Sequence, residues 1–417
     1  MPFEQSPETI DTSQVFLARQ PIFRSNMKVF GYELLFRSGL QNFCSAAIDS
    51  MAATSNVMAN SQYLLGLQKV TGGKRAFINF PQGMLNRHTS FLFSARSTVV
   101  EILEDVKVTP TLIKNCTKLA EKGYVFALDD FRYRKGLEPL MELAKIVKFD
   151  VLAMNWEELE EEVDRATKFK LKLLAEKVET MEQFQHLQKM GFHLYQGYFF
   201  SRPEIMSSKD IPGSKLQYLN MLSQLQDQNT DYEKMSELVS HDVALAYKLL
   251  RYVNSAAFAV RVEVQSLQSA IALVGEERLR QWISVMMLSY LAEDKPNELL
   301  RLSVQRACFC QGLSDLVTGV GSRATCYTLG MLSLLDVILE RKMASILDGI
   351  HLDQDLYDAL VSGTGRFGVI LTLTIAYEQG EWETVDKICQ ALSVNALALP
   401  KILAASIEAA SHIYFGD

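Results

Sequence analysis

The sequence predicts an α/β barrel followed by an all-helical domain. Three observations carry that prediction. Short apolar runs alternate with helical patterns through the first half of the chain. Beyond Arg202 the texture becomes helical throughout. Acidic and amide side chains stand at the ends of the apolar runs.

Strands are expected at Val15–Ala18, Ala76–Phe80, Val99–Leu103, Tyr124–Leu128, Ile146–Phe149, Leu171–Ala175 and around Leu194–Phe199, with helices between them, as at Thr111–Lys122 and Met181–Met190. Strand–helix alternation of this kind specifies a parallel sheet. Seven such runs within about 190 residues fit a compact barrel better than an open nucleotide-binding sheet, and no glycine-rich loop follows the first strand. Ser201-Arg202-Pro203-Glu204 ends the last strand, and Pro212-Gly213-Ser214 punctuates a linker. Past it, proline recurs only as Pro296 and Pro400. The expected organisation is a tail over 1–13, a barrel over 14–205, a linker over 206–214 and a helical domain over 215–417.

A chain of 417 residues is long enough for two cores. Its 48% hydrophobic and 22% charged residues are those of a globular protein. A formal net charge of −7 supplies no basic field for a nucleic-acid polymer, though it permits a local basic pocket for one small anion. Cys44, Cys116, Cys308, Cys310, Cys326 and Cys389 are scattered and read as free thiols in a reducing compartment. The first fourteen residues carry Glu4, Glu8 and Asp11 and no basic-then-apolar run. No apolar stretch approaches the ~20 residues that span a bilayer. The apolar segment Ala396–Phe415 is broken by Pro400, Lys401 and Glu408. A cytoplasmic protein without a membrane partner is expected.

The polar residues at the strand ends carry the chemistry. Asn79 closes Ala76–Ile78, Glu101 follows Val99-Val100, and Asp129-Asp130 follows Tyr124–Leu128. Lys148 follows Ile146-Val147, and Glu176 follows Leu173–Ala175. Parallel barrels collect their chemistry at the C-terminal ends of strands, so these groups are expected at one mouth. Asp129 and Asp130 can share it only if the chain bends there, because neighbouring strand residues face opposite ways. With Glu33, five carboxylates would meet. Two such charges ~4 Å apart repel by about 4 kcal/mol at an effective dielectric of 20. Hard divalent cations relieve this, and an all-oxygen set with one amide suits Mg²⁺ or Mn²⁺ rather than zinc. Singly, each acid reads more readily as a helix N-cap or a solvated loop residue, and it is their conjunction that points to a site.

Arg19-Gln20-Pro21-Ile22 and Gly31-Tyr32-Glu33-Leu34-Leu35-Phe36-Arg37 resemble the opening of EAL domains, the cyclic di-GMP phosphodiesterases. Further matches follow in the family's order: Ile78-Asn79-Phe80, Glu101-Ile102-Leu103-Glu104, Leu128-Asp129-Asp130-Phe131, Val147-Lys148-Phe149-Asp150, Ala175-Glu176-Lys177-Val178-Glu179 and Tyr195–Ser201. The resemblance covers about residues 14–205 and implies a modified (β/α)8 barrel. It implies that Glu33, Asn79, Glu101 and Asp129 bind one metal, and that Asp129 and Asp130 hold a second. Lys148 would orient the attacking water and Glu176 would complete the acidic site. Gln20 and Gln196 would contact guanine, and Arg37 a phosphate. The implied reaction opens cyclic di-GMP to its linear dinucleotide across two metals. Three positions depart from the pattern: Leu34 replaces Ala, Arg132-Tyr133-Arg134-Lys135 replaces Gly-Thr-Gly and small residues, and Lys177 replaces Gly.

In the second half, Met235–Phe258 and Ile271–Gly275 resemble HDOD domains, helical relatives of the HD phosphohydrolases. The whole chain resembles EAL–HDOD signalling proteins of the YuxH type. His241-Asp242 spells an HD pair but opens a helix, where Asp is a common early residue. Met331–Asp336 lies where HD enzymes carry His-Asp and holds no histidine. Gly363-x-Gly365-x-x-Gly368 follows a helical run rather than a strand, so it reads as a turn between helices. Two functions follow from the resemblance. One is a metal-dependent cyclic di-GMP phosphodiesterase regulated by its HDOD half. The other is a non-catalytic effector that binds nucleotide or a protein partner. A protein partner for the HDOD half and a homodimer are both compatible with it.

Overall fold

The alternation of apolar and polar residues along the first half closes a sheet on itself. The computed structural model describes residues 15–38, 67–85, 93–200, 213–226, 232–255, 258, 263–317, 319–348 and 352–414. Eight strands form a closed barrel in chain order: β1 (Val15–Arg24), β2 (Val29–Ser38), β3 (Arg75–Phe80), β4 (Thr98–Ile102), β5 (Val125–Leu128), β6 (Ile146–Asp150), β7 (Lys172–Glu176) and β8 (Leu194–Gln196). From β2 to β8 each neighbour runs parallel. β1 alone is reversed, antiparallel to both β2 and β8.

The sequence reading finds seven of these strands and misses β2. The reason is its inverted pattern. Along β2 the inward positions are Gly31 and Glu33, while the outward Tyr32 and Leu34 are buried. A polar-in, apolar-out strand does not announce itself by hydrophobic alternation. β1 also runs further than expected, continuing through Pro21 to Arg24.

Inside the barrel, Ile22, Phe77, Val99, Ala127, Ile146, Leu174 and Leu194 pack as a dry plug. Outside it, the helices Pro110–Glu121, Trp156–Thr167 and Met181–Lys189 begin at Thr109, Asn155 and Thr180, each side chain accepting a first-turn N–H. Asn155 and Thr180 make full capping boxes with Glu158 and Gln183.

From Gly213–Gln226 onward the described elements are helices. The linker expected at 206–214 falls largely outside the described residues. Asp242 caps the helix Val243–Val253, accepting from Ala244 at 2.8 Å and Leu245 at 3.0 Å. Gly363 ends the helix Gln354–Ser362 with a left-handed φ of 67°, while Gly365 and Gly368 open the next helix, so the motif marks the junction of two helices. Cys116, Cys308, Cys310, Cys326 and Cys389 are free thiols, and Cys44 lies outside the described residues. Among the described residues, no single helix is long and apolar enough to cross a membrane.

The helical half packs on the outer face of the β1–β2 hairpin. Arg19, 6% exposed, donates to Gln305 Oε1 at 2.9 Å and lies 4.5 Å over the Tyr32 ring. The Tyr32 hydroxyl donates to Glu298 Oε1 at 3.0 Å and accepts from Arg301 Nη1 at 3.0 Å. Burial, then the neighbouring Glu298 carboxylate, pushes the Tyr32 phenol up to about 12. Buried charges hold only when paired, so this cluster fixes how the halves meet. Tyr32→Phe removes the hydroxyl between Glu298 and Arg301 while keeping the ring. It is expected to cost about 1–3 kcal/mol in urea unfolding, the penalty for buried polar groups left short of a partner.

Candidate active site at the barrel mouth

Strand residues two apart share a face, and that periodicity builds the site. Two residues beyond each plug position stands a polar one: Asn79 after Phe77, Glu101 after Val99, Asp129 after Ala127, Lys148 after Ile146, Glu176 after Leu174 and Gln196 after Leu194. β2 contributes Glu33 two residues after Gly31. β1 runs the other way, so Gln20 precedes Ile22 and pairs across the hairpin with Glu33. A polar ring therefore sits one layer above the plug, at the C-terminal ends of the parallel strands. The same apolar-then-polar pair, repeated on six strands, is the signal from which the ring could have been read whole.

Lys148 holds the middle of this ring with its side chain almost wholly buried. Its Nζ lies 2.7 Å from Glu101 Oε1, 2.7 Å from Asp129 Oδ1, 2.9 Å from Glu176 Oε1 and 3.6 Å from Glu33 Oε1. Burial alone would lower the Lys148 pKa, but the four carboxylates outweigh it and hold the ammonium well above its ordinary value. Burial pushes Glu101 well up, against the pull of Lys148. Burial likewise drives Glu176 up to about 8, Lys148 again opposing. Glu33 accepts from Gln196 Nε2 at 2.6 Å and from Asn79 Nδ2 at 3.4 Å, and Gln196 Nε2 also donates to Gln20 Oε1 at 3.0 Å.

The donors suit a hard divalent cation. Asn79 Oδ1 and both Glu101 oxygens are buried without a hydrogen bond, since the Lys148 contacts have ion-pair distance but not hydrogen-bond angles. Acceptors stranded this way are costly unless a cation serves them. In the present arrangement that cation is the Lys148 ammonium. Among the described residues, no three acidic, histidine or cysteine side chains are yet gathered as metal ligands.

Asp130 stands apart from the ring. A φ of 40° turns it out of the strand direction onto the exposed rim. Burial and then Asp129 raise its pKa, and Lys177 opposes them. Arg37 lies in β2, but its side chain falls outside the described residues.

Sequence reasoning gave no site role to three rim residues. Lys177, with a φ of 55°, pairs with Asp150, and both are electrostatic neighbours of Asp130. Tyr198 faces Gln20 Nε2 at 3.4 Å. It follows Gly197, where a Cβ would stand 2.1 Å from the Val178 carbonyl oxygen, so only glycine fits. Strand-end position was the available signal for Lys177 and Asp150.

The basic loop after Phe131 is folded down rather than open. Arg132 donates to the Ala153 carbonyl at 2.5 Å and Arg134 to the Val106 carbonyl at 2.8 Å. The Tyr133 hydroxyl donates to Glu138 at 2.6 Å.

Lys148→Met leaves four carboxylates without their cation. In metal-free buffer it is expected to lower stability by about 3–5 kcal/mol, as for a buried ion pair stripped of one partner. The deficit should shrink as the pH is lowered, because protonating the carboxyls removes the repulsion that burdens the folded variant. Thermal melts across pH check both.

Comparison with known proteins places this architecture. The EAL domain family matches residues 79–203, and the HDOD domain family matches residues 212–350. The cyclic di-GMP phosphodiesterase CdgJ of Vibrio cholerae serotype O1 is 33% identical over 403 residues, covering 94% of this chain and 90% of that protein. The uncharacterized protein YuxH of Bacillus subtilis is 33% identical over 383 residues, covering 90% of this chain and 93% of YuxH. The crystal structure of an EAL domain protein from Listeria monocytogenes shares 22% identity, covers 48% of this chain and 94% of its own, and superposes with a TM-score of 0.37. Two family matches in this order, and relatives matched nearly end to end, give one conclusion: the chain belongs to the EAL–HDOD family of signalling proteins.

Proposed function

We propose that the barrel half binds cyclic di-GMP at this mouth and, with a divalent metal, opens it to the linear dinucleotide under control of the helical half. The observation that carries the reading is the ring of oxygen donors around Lys148, with Asn79 Oδ1 and the Glu101 carboxylate stranded in it. Glu33, Asn79, Glu101 and Asp129 would hold one Mg²⁺ or Mn²⁺, and Asp129 with Asp130 a second. Such a pair supplies positive charge for the attacking and leaving oxygens of an in-line phosphodiester displacement. Lys148 would orient the attacking water, and Glu176, 2.9 Å from its ammonium, would complete the acidic wall beside it. Gln20 and Gln196 stand at one side of the ring for a guanine edge, and Arg37 on the same strand as Glu33 for a phosphate. The helical half has no histidine in Met331–Asp336 and serves regulation rather than hydrolysis.

A second reading, an effector that binds the nucleotide without cleaving it, is favoured by one observation. Lys148 already bridges the four carboxylates with one positive charge from within the protein. Product analysis after incubating the protein with Mn²⁺ and cyclic di-GMP separates the two. The phosphodiesterase reading expects linear dinucleotide, and Glu33→Ala should cut the rate about a thousandfold, equivalent to about 4 kcal/mol. Binding without product establishes the effector.

Metal binding has its own readout. A metal held only by the folded chain, at a hundredfold its dissociation constant, adds ~2.7 kcal/mol. Chelator-stripped protein should therefore melt higher in Mg²⁺ or Mn²⁺, and an unmoved melting temperature would remove metal from the reading.

A further inference from the structure

The C-terminal end of the helix Gly365–Gln379 reaches the mouth. A helix leaves its last four carbonyls without an internal partner, and here the Gln379 carbonyl accepts from Gln20 Nε2 at 3.3 Å. The same amide nitrogen faces the Tyr198 hydroxyl at 3.4 Å, and Gln20 Oε1 accepts from Gln196 at 3.0 Å. A glutamine amide has two hydrogens to give, and both are engaged with protein. Gly380 ends the helix with a φ of 73°, and a Cβ there would stand 2.9 Å from Leu35 Cδ1. Leu35 lies on the face of β2 that carries Glu33, one step nearer the rim.

Behind this contact the helix end is anchored. Glu378 forms a buried two-point ion pair with Arg306, at 2.8 and 2.9 Å. Arg306 in turn lies 3.4 Å from the Ser333 hydroxyl, where the helix Arg323–Leu332 ends. A chain of polar contacts thus runs from Ser333 through Arg306 and Glu378 to the end of the helix. From there Gln379 leads through Gln20 and Gln196 to Glu33 in the acidic ring. The helix that closes this chain lies outside the residues matched by either family.

We propose that the Gln379–Gly380 helix end is a latch on the guanine side of the mouth. Seated on Leu35 and Gln20, its carbonyl and a guanine edge compete for the same amide, so a nucleotide must lift it to engage Gln20. A signal that shifts the helical half acts on the Arg306–Glu378 pair and hence on the latch. By linkage, nucleotide binding favours the released helical half to the same extent. The inference rests on the reading of the mouth as a cyclic di-GMP site.

A reversible cross-link tests it. A Cβ at residue 380 would lie 3.8 Å from Leu35 Cβ, the usual span of a disulfide. Full-length protein carrying Leu35→Cys and Gly380→Cys, oxidised and then reduced, is titrated with cyclic di-GMP in metal-free buffer, with the wild type taken through the same redox cycle. The oxidised protein is expected to bind at least tenfold more weakly than the same protein reduced. Equal affinity in the two states overturns the latch and leaves the nucleotide reading intact. Should the folded protein fail to form the bond, the strain that any side chain at a φ of 73° puts on this cap accounts for it, and Gly380→Ala decides as below. No binding by wild type or by reduced protein overturns the nucleotide reading and the latch with it. Should the double variant not fold, Gly380→Ala decides: its strained cap should unseat the helix end and tighten binding at least threefold, and wild-type affinity refutes the latch.

Discussion

Successive residues of a strand face opposite ways, and in the β1–β2 hairpin both faces are in use. Gln20 and Glu33 look into the mouth, while Arg19 and Tyr32 look out at the helical half. A slip of one residue in this hairpin would exchange the two sets, placing an arginine in the acidic ring and a carboxylate in the interdomain core. The interdomain cluster therefore fixes the register of the site, and the site's chemistry depends on the packing behind it.

Electrostatics decides what the mouth can be. Four carboxylates close together need a cation, and the Lys148 ammonium meets that need from within the protein. Replacing it by metal is an exchange of one buried positive charge for another rather than the filling of a void. Asp130, Lys177 and Asp150 neighbour one another at the rim, and Lys177 brings a positive charge of its own there.

Much of this was legible in the sequence, and the misses have physical causes. Strands with apolar inner positions and polar ends, such as Ala76–Phe80 and Val99–Leu103, declare both fold and site because their pattern is local. β2 did not, because its buried face is defined by helices more than 260 residues away. The acids were legible as a set at the strand ends rather than one by one, yet the central place of Lys148 was not, since it depends on four strands converging on one ammonium. The contact of Gln379 with Gln20 involves a backbone carbonyl and leaves no trace in residue identity.

The interdomain cluster also bears on how the chain is made. Tyr32 and Arg301 are 269 residues apart, and the barrel strand that carries Tyr32 leaves the ribosome long before its partner. At ordinary elongation rates of ~5–20 residues per second, the delay is roughly ten seconds to a minute. Through that interval Tyr32 and Arg19 on the hairpin's outer face lack their Glu298, Arg301 and Gln305 partners, and the nascent chain is open to mispairing there. The barrel of this protein can be threaded early but is finished last, by the helices that pack on this hairpin.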